Sequence, residues 1–218
     1  GDNLKSASLT DTNEDYFFGI AHNDTLTTEE FNVAFGSTNG HGGAKDDTKS
    51  KTEAIYKQYA NLLLAPTEVT GGFHISNQGS AGVLTTAGTK DTEIFVLTAR
   101  RSNMKDRLNK GTFTIALSGS TSDAGKLDEF LGTGSAILKL TDDSKTTDPT
   151  ATPVGDRFNI VSGALGTVHN AATSHSFGFF YPDQGIVVLS AAELSASIPG
   201  REVGSDDTVV FASASQDG

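Results

Sequence analysis

The stretch Ser176–Leu194, SFGFFYPDQGIVVLSAAEL, limits the possible folds more than any other part of the chain. Two dense apolar runs, Phe177–Tyr181 and Ile186–Leu189, are separated by Pro182-Asp183-Gln184-Gly185. Pro presets φ for a turn, Asp bonds its own backbone and Gly accepts positive φ, so the four residues predict a reversal. The arms are aromatic and β-branched, which suits a pleated, buried surface. A β-hairpin with one arm deep in the core is therefore expected. Full burial of each large apolar side chain contributes roughly 1.5–3 kcal/mol, enough for this segment to anchor a domain.

The remainder is polar and turn-rich. Only 36% of the 218 residues are apolar and 24 are Gly, which favours short strands joined by loops over a helical bundle. Strands are expected at Tyr16–Ala21, Glu30–Phe35, Phe73–Ile75, Thr92–Thr98, Thr112–Leu117, Ala136–Leu140, Arg157–Val161 and Thr208–Ala212, besides the hairpin. Lys51–Leu64 is the one long helix: Thr48 or Ser50 can cap it, Glu53 lies three residues beyond Ser50 as in a capping box, Ile55, Tyr59, Leu62 and Leu63 make a stripe flanked by Tyr56, and Pro66 stops it. Shorter helical turns are expected at Asp123–Leu131 and Met104–Leu108, and long loops at 36–48, 141–153 and 166–174.

These elements predict an α+β, β-rich fold, with an antiparallel sandwich- or barrel-like core of about eight or nine short strands and one long helix. Residues 1–15 read as an N-terminal arm or linker, 16–212 as a single structural domain, and 213–218 as a tail. Residue 1 is Gly and the sole Met is Met104, so the chain is expected to be a fragment of a longer protein. The expected core comprises Phe31, Phe95, Ile115, Ile160, Phe179 and Val187.

Composition narrows the chemistry. Without Cys there are no disulfides, thiolate nucleophiles or Cys-type metal sites. A net charge of −11 argues against direct nucleic-acid binding, which rests on clustered cations. No apolar run approaches the roughly 20 residues of a membrane helix, so no membrane insertion is expected. The five His residues are scattered, with none paired at i, i+3 or i+4. His169 and His175 flank a loop near the hairpin and are read as ordinary turn histidines. The 142–148 run resembles a calcium loop only faintly, with Thr147 where Gly is needed and Pro153 at the closing Glu. The Gly-rich 36–48 segment lacks the P-loop spacing, and Ser162-Gly163 lacks the nucleophile-elbow pattern. The chain is accordingly expected not to be an enzyme and to need no cofactor. Arg100, Arg101, Lys105, Arg107 and Lys110 form the one local cationic cluster, suited to a neighbour's carboxylates. Tyr56 and Tyr59 on the helix are the other candidate interface residues, since Tyr supplies a large amphipathic contact area.

Several segments also carry a family pattern. AIYKQYANLLL (Ala54–Leu64), EIFVLTARRSNMKDRLNKGTFTIALSG (Glu93–Gly119), LTDDS (Leu140–Ser144), RFNIVSGALG (Arg157–Gly166) and FGFFYPDQGIVVL (Phe177–Leu189) occur in this order. Together they resemble virion structural proteins of contractile-tailed, T-even-like bacteriophages, especially those of marine cyanobacteria. The resemblance spans roughly Tyr16–Leu194. It implies a tail or baseplate component, located in the virion after assembly in the host cytoplasm, whose partners are other virion proteins and copies of itself. It carries over no catalytic residues. The alternative from a different class is a carbohydrate- or receptor-binding β-module, a fibre or adhesin domain, which would use Tyr16, Tyr56, Tyr59 and Tyr181. The lack of Trp weighs against a sugar-stacking platform.

Overall fold

A computed structural model describes residues 4–8, 17–22, 29–40, 51–75, 90–118, 137–169 and 176–194. The strands are β1 (Leu4–Ser8), β2 (Phe17–His22), β3 (Glu29–Ser37), β4 (Glu93–Ala99), β5 (Ile115–Ser118), β6 (Ile137–Asp142), β7 (Thr150–Thr152), β8 (Gly155–Ala164), β9 (Thr167–Val168), β10 (Ser176–Tyr181) and β11 (Ile186–Ser190). One helix, α1 (Lys51–Leu63), lies between β3 and β4 in the chain. The strands form a single sheet in the order β1-β2-β3-β4-β11-β10-β8-β6-β5, with β7 and β9 adding to β8. Every pairing is antiparallel. The sheet curls into a half-barrel, so the fold is α+β, β-rich and barrel-like.

The hairpin expected at 176–190 sits at the centre of this sheet. Pro182–Gly185 makes the turn, and Phe179 pairs with Val188 and Tyr181 with Ile186. Both strands are buried on both faces, which is why they read as continuous apolar runs and not as alternation. Phe180, Val187 and Leu189 face one apolar cluster with Phe35, Phe95, Leu138 and Ile160. Phe179, Tyr181, Ile186 and Val188 face the other, beneath α1. A bulge between Ser176 and Gly178 lets Phe177 join Phe180 on the first face, although residues three apart on a strand normally point to opposite faces. Of the expected core, Phe95, Ile160, Phe179 and Val187 are buried, while Phe31 and Ile115 are half-buried.

Differences from the sequence reading have local causes. Residues Leu4–Ser8 of the expected arm form β1 on β2: a polar strand at the sheet edge has no core-facing alternation to reveal it. The expected 141–153 loop begins inside β6 and contains β7, and the expected 166–174 loop opens with the two-residue β9. Phe73 and Ile75 are buried and His74 between them is half-buried, but they form no strand; the backbone of Phe73 and Ile75 is bonded to Asp91 instead. The helical turn expected at Met104–Leu108 is a 3₁₀ turn at Arg101–Asn103, and the strand expected from Thr112 begins at Ile115. The buried stripe of α1 is Thr52, Tyr56, Ala60 and Leu63, rotated from the expected one, and Leu62 is exposed. Asp123–Leu131, Thr208–Ala212 and the 41–48 part of the Gly-rich loop lie outside the described residues.

Candidate interaction surface

α1 seats on β3 at Gly36, where a Cβ would come within 3.0 Å of the Tyr56 backbone nitrogen. That close approach drives Tyr56 inward. It is 3% exposed, its ring packs edge-on against Phe73 at 5.7 Å, and its hydroxyl donates to the Asp91 carbonyl at 2.7 Å. The same oxygen accepts from the Phe73 N–H at 3.1 Å. Tyr56 is therefore not an interface residue of the isolated chain; its polar end is spent inside. Burial, the largest cause, pushes its phenol up to about 12, and the Asp91 charge adds to this. Tyr59 is half-buried, with its hydroxyl 3.2 Å from Thr98 Oγ1 on β4. Tyr181 is buried as well, so neither it nor Tyr56 offers a stacking platform for a sugar, and Tyr16 lies outside the described residues.

The cationic segment is laid out differently. It leaves β4 at Ala99 and is pinned at intervals: the Arg100 N–H donates to the Glu30 carbonyl at 3.0 Å, and the Leu108 N–H to the Pro182 carbonyl at 3.0 Å. The Asn103 side-chain amide bonds the Glu30 carboxylate. Met104 is buried, packed against Gly185 of the hairpin turn. At the far end the Gly111 N–H donates to both Asp142 oxygens at 2.9 Å. The backbone is thus fixed while Arg100, Arg101, Lys105 and Arg107 stay exposed. Arg101 reaches the Asp183 carbonyl at 3.4 Å and Arg107 lies 4.0 Å from the Asp183 carboxylate. Lys110 is half-buried, 3.9 Å from Asp156 and 4.8 Å above the Phe158 ring. Exposed pairs of this kind stabilise by about 0–1 kcal/mol, so most of the cationic charge remains available to a partner.

Beside this segment stands a residue that no sequence pattern singles out. The β8–β9 turn is Leu165-Gly166, both at positive φ (50° and 72°), the geometry of a two-residue hairpin turn that matches strand twist. Leu is a poor occupant of that conformation, at a cost of order 1–3 kcal/mol. It is nevertheless 59% exposed. The turn is held by bonds from the Leu165 N–H to Thr114 Oγ1 (3.0 Å), from Lys145 Nζ to the Leu165 carbonyl (2.7 Å) and from the Gly166 N–H to Thr141 Oγ1 (2.8 Å). Gly166 packs against Gly111, so the Leu165 tip adjoins the end of the cationic segment. A Leu where Gly or Asn is usual would have been visible only had the turn been placed.

The acidic run at 142–148 is structural. Asp142 holds Gly111, and the two Asp143 oxygens accept from the Asn159 N–H (3.0 Å) and side-chain amide (2.8 Å). Burial pushes the Asp143 carboxyl above its ordinary range, with the Asn159 bonds offsetting part. Ser162 is buried within β8, and the His169 N–H bonds the Ser162 carbonyl. Among the described residues no group of three or more His, Cys, Asp or Glu is placed to hold a metal ion. No helix among them is long and apolar enough to cross a membrane. Comparison with protein-family models, curated proteins and solved structures returns no match.

Proposed function

We propose that this chain is a structural component of a virion of the contractile-tailed phage type, in the tail or baseplate, and that it works by docking to neighbouring proteins and to copies of itself. The observation that carries the reading is the pairing of a rigid, exposed cationic segment, Arg100–Lys110, with the exposed apolar tip of Leu165 on an otherwise acidic chain. Interfaces combine an apolar anchor with a polar rim, and Arg is favoured in them because its planar fork takes a carboxylate bidentately. Because the segment is pinned at Arg100, Leu108 and Gly111, docking would order few new backbone residues, which lowers the entropic cost of association. The ordered resemblance of five segments to phage virion proteins supplies the setting.

The test is charge reversal at Arg100→Glu with Arg101→Glu, followed by assembly of particles in the host. Incorporation is expected to fall at least tenfold while the thermal midpoint of the isolated chain changes little. Leu165→Gly provides a second arm: it relieves the positive φ, so it should stabilise the chain slightly while weakening assembly. Normal incorporation of both variants would refute the assignment of this surface.

A further inference from the structure

β3 ends in the turn Ser37-Thr38-Asn39-Gly40, which holds the one Asn-Gly pair of the chain; every other Asn is followed by a residue that carries a side chain. Ser at the first position and Gly at the last suit a β-turn. The ladder to β4 closes just before the tip, where the Thr38 N–H donates to the Thr92 carbonyl at 2.8 Å. Ser37 is fully buried, whereas Asn39, two residues on, is exposed. The tip itself is loosely tied. The Gly40 N–H reaches the Ser37 carbonyl at 3.3 Å, and the Asn39 N–H reaches Ser37 Oγ at 3.3 Å. The Asn39 side-chain oxygen takes a contact of 3.5 Å from the Thr38 hydroxyl.

These distances lie past the range of good hydrogen bonds, roughly 2.7–3.2 Å for N–H donors, so little holds the Asn39 amide and the Gly40 nitrogen apart. Gly40 sits at φ 78°, in the left-handed region that favours glycine, and the turn therefore requires a residue with no Cβ at this point. A backbone nitrogen without a side chain beside it is open to approach by the side-chain carbonyl carbon of the residue before it. The two groups are already joined through one residue, so ring closure needs no encounter, and a five-membered ring is the result. Exposure of Asn39 supplies the water that must follow.

We propose that Asn39 is a site of spontaneous covalent modification, deamidating through a cyclic imide to isoaspartate and aspartate. The Gly40 nitrogen gives up its proton and bonds to Asn39 Cγ, the bond from Cγ to the amide nitrogen breaks, and ammonia leaves. Water then opens the imide. Attack at Cγ restores the original backbone with an aspartate; attack at the Asn39 main-chain carbonyl leaves the backbone running through Cγ and one methylene longer between β3 and α1. One ammonia is lost and one water consumed, with no oxidant or reductant. Either product places a new negative charge at the end of the sheet where Ser37 pairs with Glu93. This goes beyond the assembly reading and does not depend on it.

The test incubates the folded chain in mildly alkaline buffer and follows every Asn by peptide mass and fragmentation, with isoaspartate counted by enzymatic methyl transfer. A gain of about 1 Da, the difference between amide and acid, is expected at Asn39. Its rate should exceed that at any other Asn at least tenfold, a barrier lower by about 1.4 kcal/mol. The rate should rise with pH, because the attacking nitrogen must shed its proton. Asn39→Gln keeps an amide at this exposed position but would need a six-membered ring, and should abolish the gain there. The same chain held in urea gives the rate of the unfolded dipeptide. Modification at Asn39 in urea but not in the folded chain would overturn the proposal, since the turn would then protect the amide. Equal rates at all Asn, or an undiminished gain at this position in Asn39→Gln, would overturn it as well.

Discussion

The two ends of the helix-covered face are built from the same kinds of residue and solve the same problem in opposite ways. At one end, where Gly36, Ile94 and Ser190 cross the sheet in register, each polar group of the bracket has its partner. Asp91 accepts from Ser190 Oγ at 2.6 Å and from the Ile75 N–H at 2.5 Å, its own N–H donates to the Phe73 carbonyl, and its carbonyl takes the Tyr56 hydroxyl. At the other end, among the described residues, Asn32 Oδ1 and Tyr181 Oη are buried without a well-formed hydrogen bond, the phenol lying beside the buried Arg157 guanidinium, which has no carboxylate paired to it. A buried tyrosine stands at each end, yet one hydroxyl ties three segments together and the other has only the Arg157 guanidinium beside it. The lesson is that burial alone does not say what a polar group does. Its bonds do, and a saturated end carries stability that an unsaturated end does not.

The comparison breaks first at Asp91. Asp91→Ala strips acceptors from Ser190 and Ile75 in a site only 3% exposed, and leaves those donors orphaned. Disrupting a buried hydrogen-bonded charge costs about 3–5 kcal/mol, and urea denaturation should report a loss in that range. A loss below about 1 kcal/mol would mean that the saturated end is not what holds α1 to the sheet.

Alkaline pH probes both ends at once. Tyr56 and Tyr181 titrate near 10.0 when unfolded and at about 12 when folded. Between those values the unfolded chain has released the phenolic protons while the folded chain keeps them. The native state then binds more protons, so stability is fully present below pH 10 and falls as pH rises through 12. Each tyrosine contributes a slope of up to about 1.4 kcal/mol per pH unit, so denaturation midpoints should drop steeply over that window. Replacing either tyrosine by Phe should make the decline shallower by that tyrosine's share.

How much of this could be read from the chain depended on where the signal lies. The central hairpin was legible because Pro182–Gly185 separates two runs of residues that only a doubly buried strand would contain, and α1 because a capping box precedes an apolar stripe. The buried face of α1 lies one position round from the stripe that apolarity marks: Ile55 and Leu62 outweigh Ala60 in apolarity, but the seat on Gly36 is set by backbone approach, which no hydrophobicity pattern records. The cationic segment is contiguous, so its charge is legible in the sequence. Asp91, Ser190, Tyr56 and Ile75 meet only through the fold, as do Arg157, Phe179 and Tyr181, so neither constellation has a spacing to recognise. Leu165 escaped for a further reason, since an exposed Leu is unremarkable until its backbone conformation is known.

The same substitution at the two tyrosines gives the sharpest contrast, and the smaller effects. Tyr56→Phe removes a donor to the Asp91 carbonyl and an acceptor for the Phe73 N–H, and the latter is left buried and unbonded. Leaving a buried group unsatisfied costs about 1–3 kcal/mol. Tyr181→Phe removes a hydroxyl whose one polar neighbour is the Arg157 guanidinium, so its effect should be the smaller of the two, at most about 1 kcal/mol. Thermal or chemical denaturation of the two variants side by side measures this directly, since the atoms deleted are identical and both sites are buried. Equal losses would mean that Tyr181 has a partner in solution in the free chain, and the unsaturated end would then be another structural bracket. Unequal losses in the stated order would place the polar support of this face at the Asp91 end.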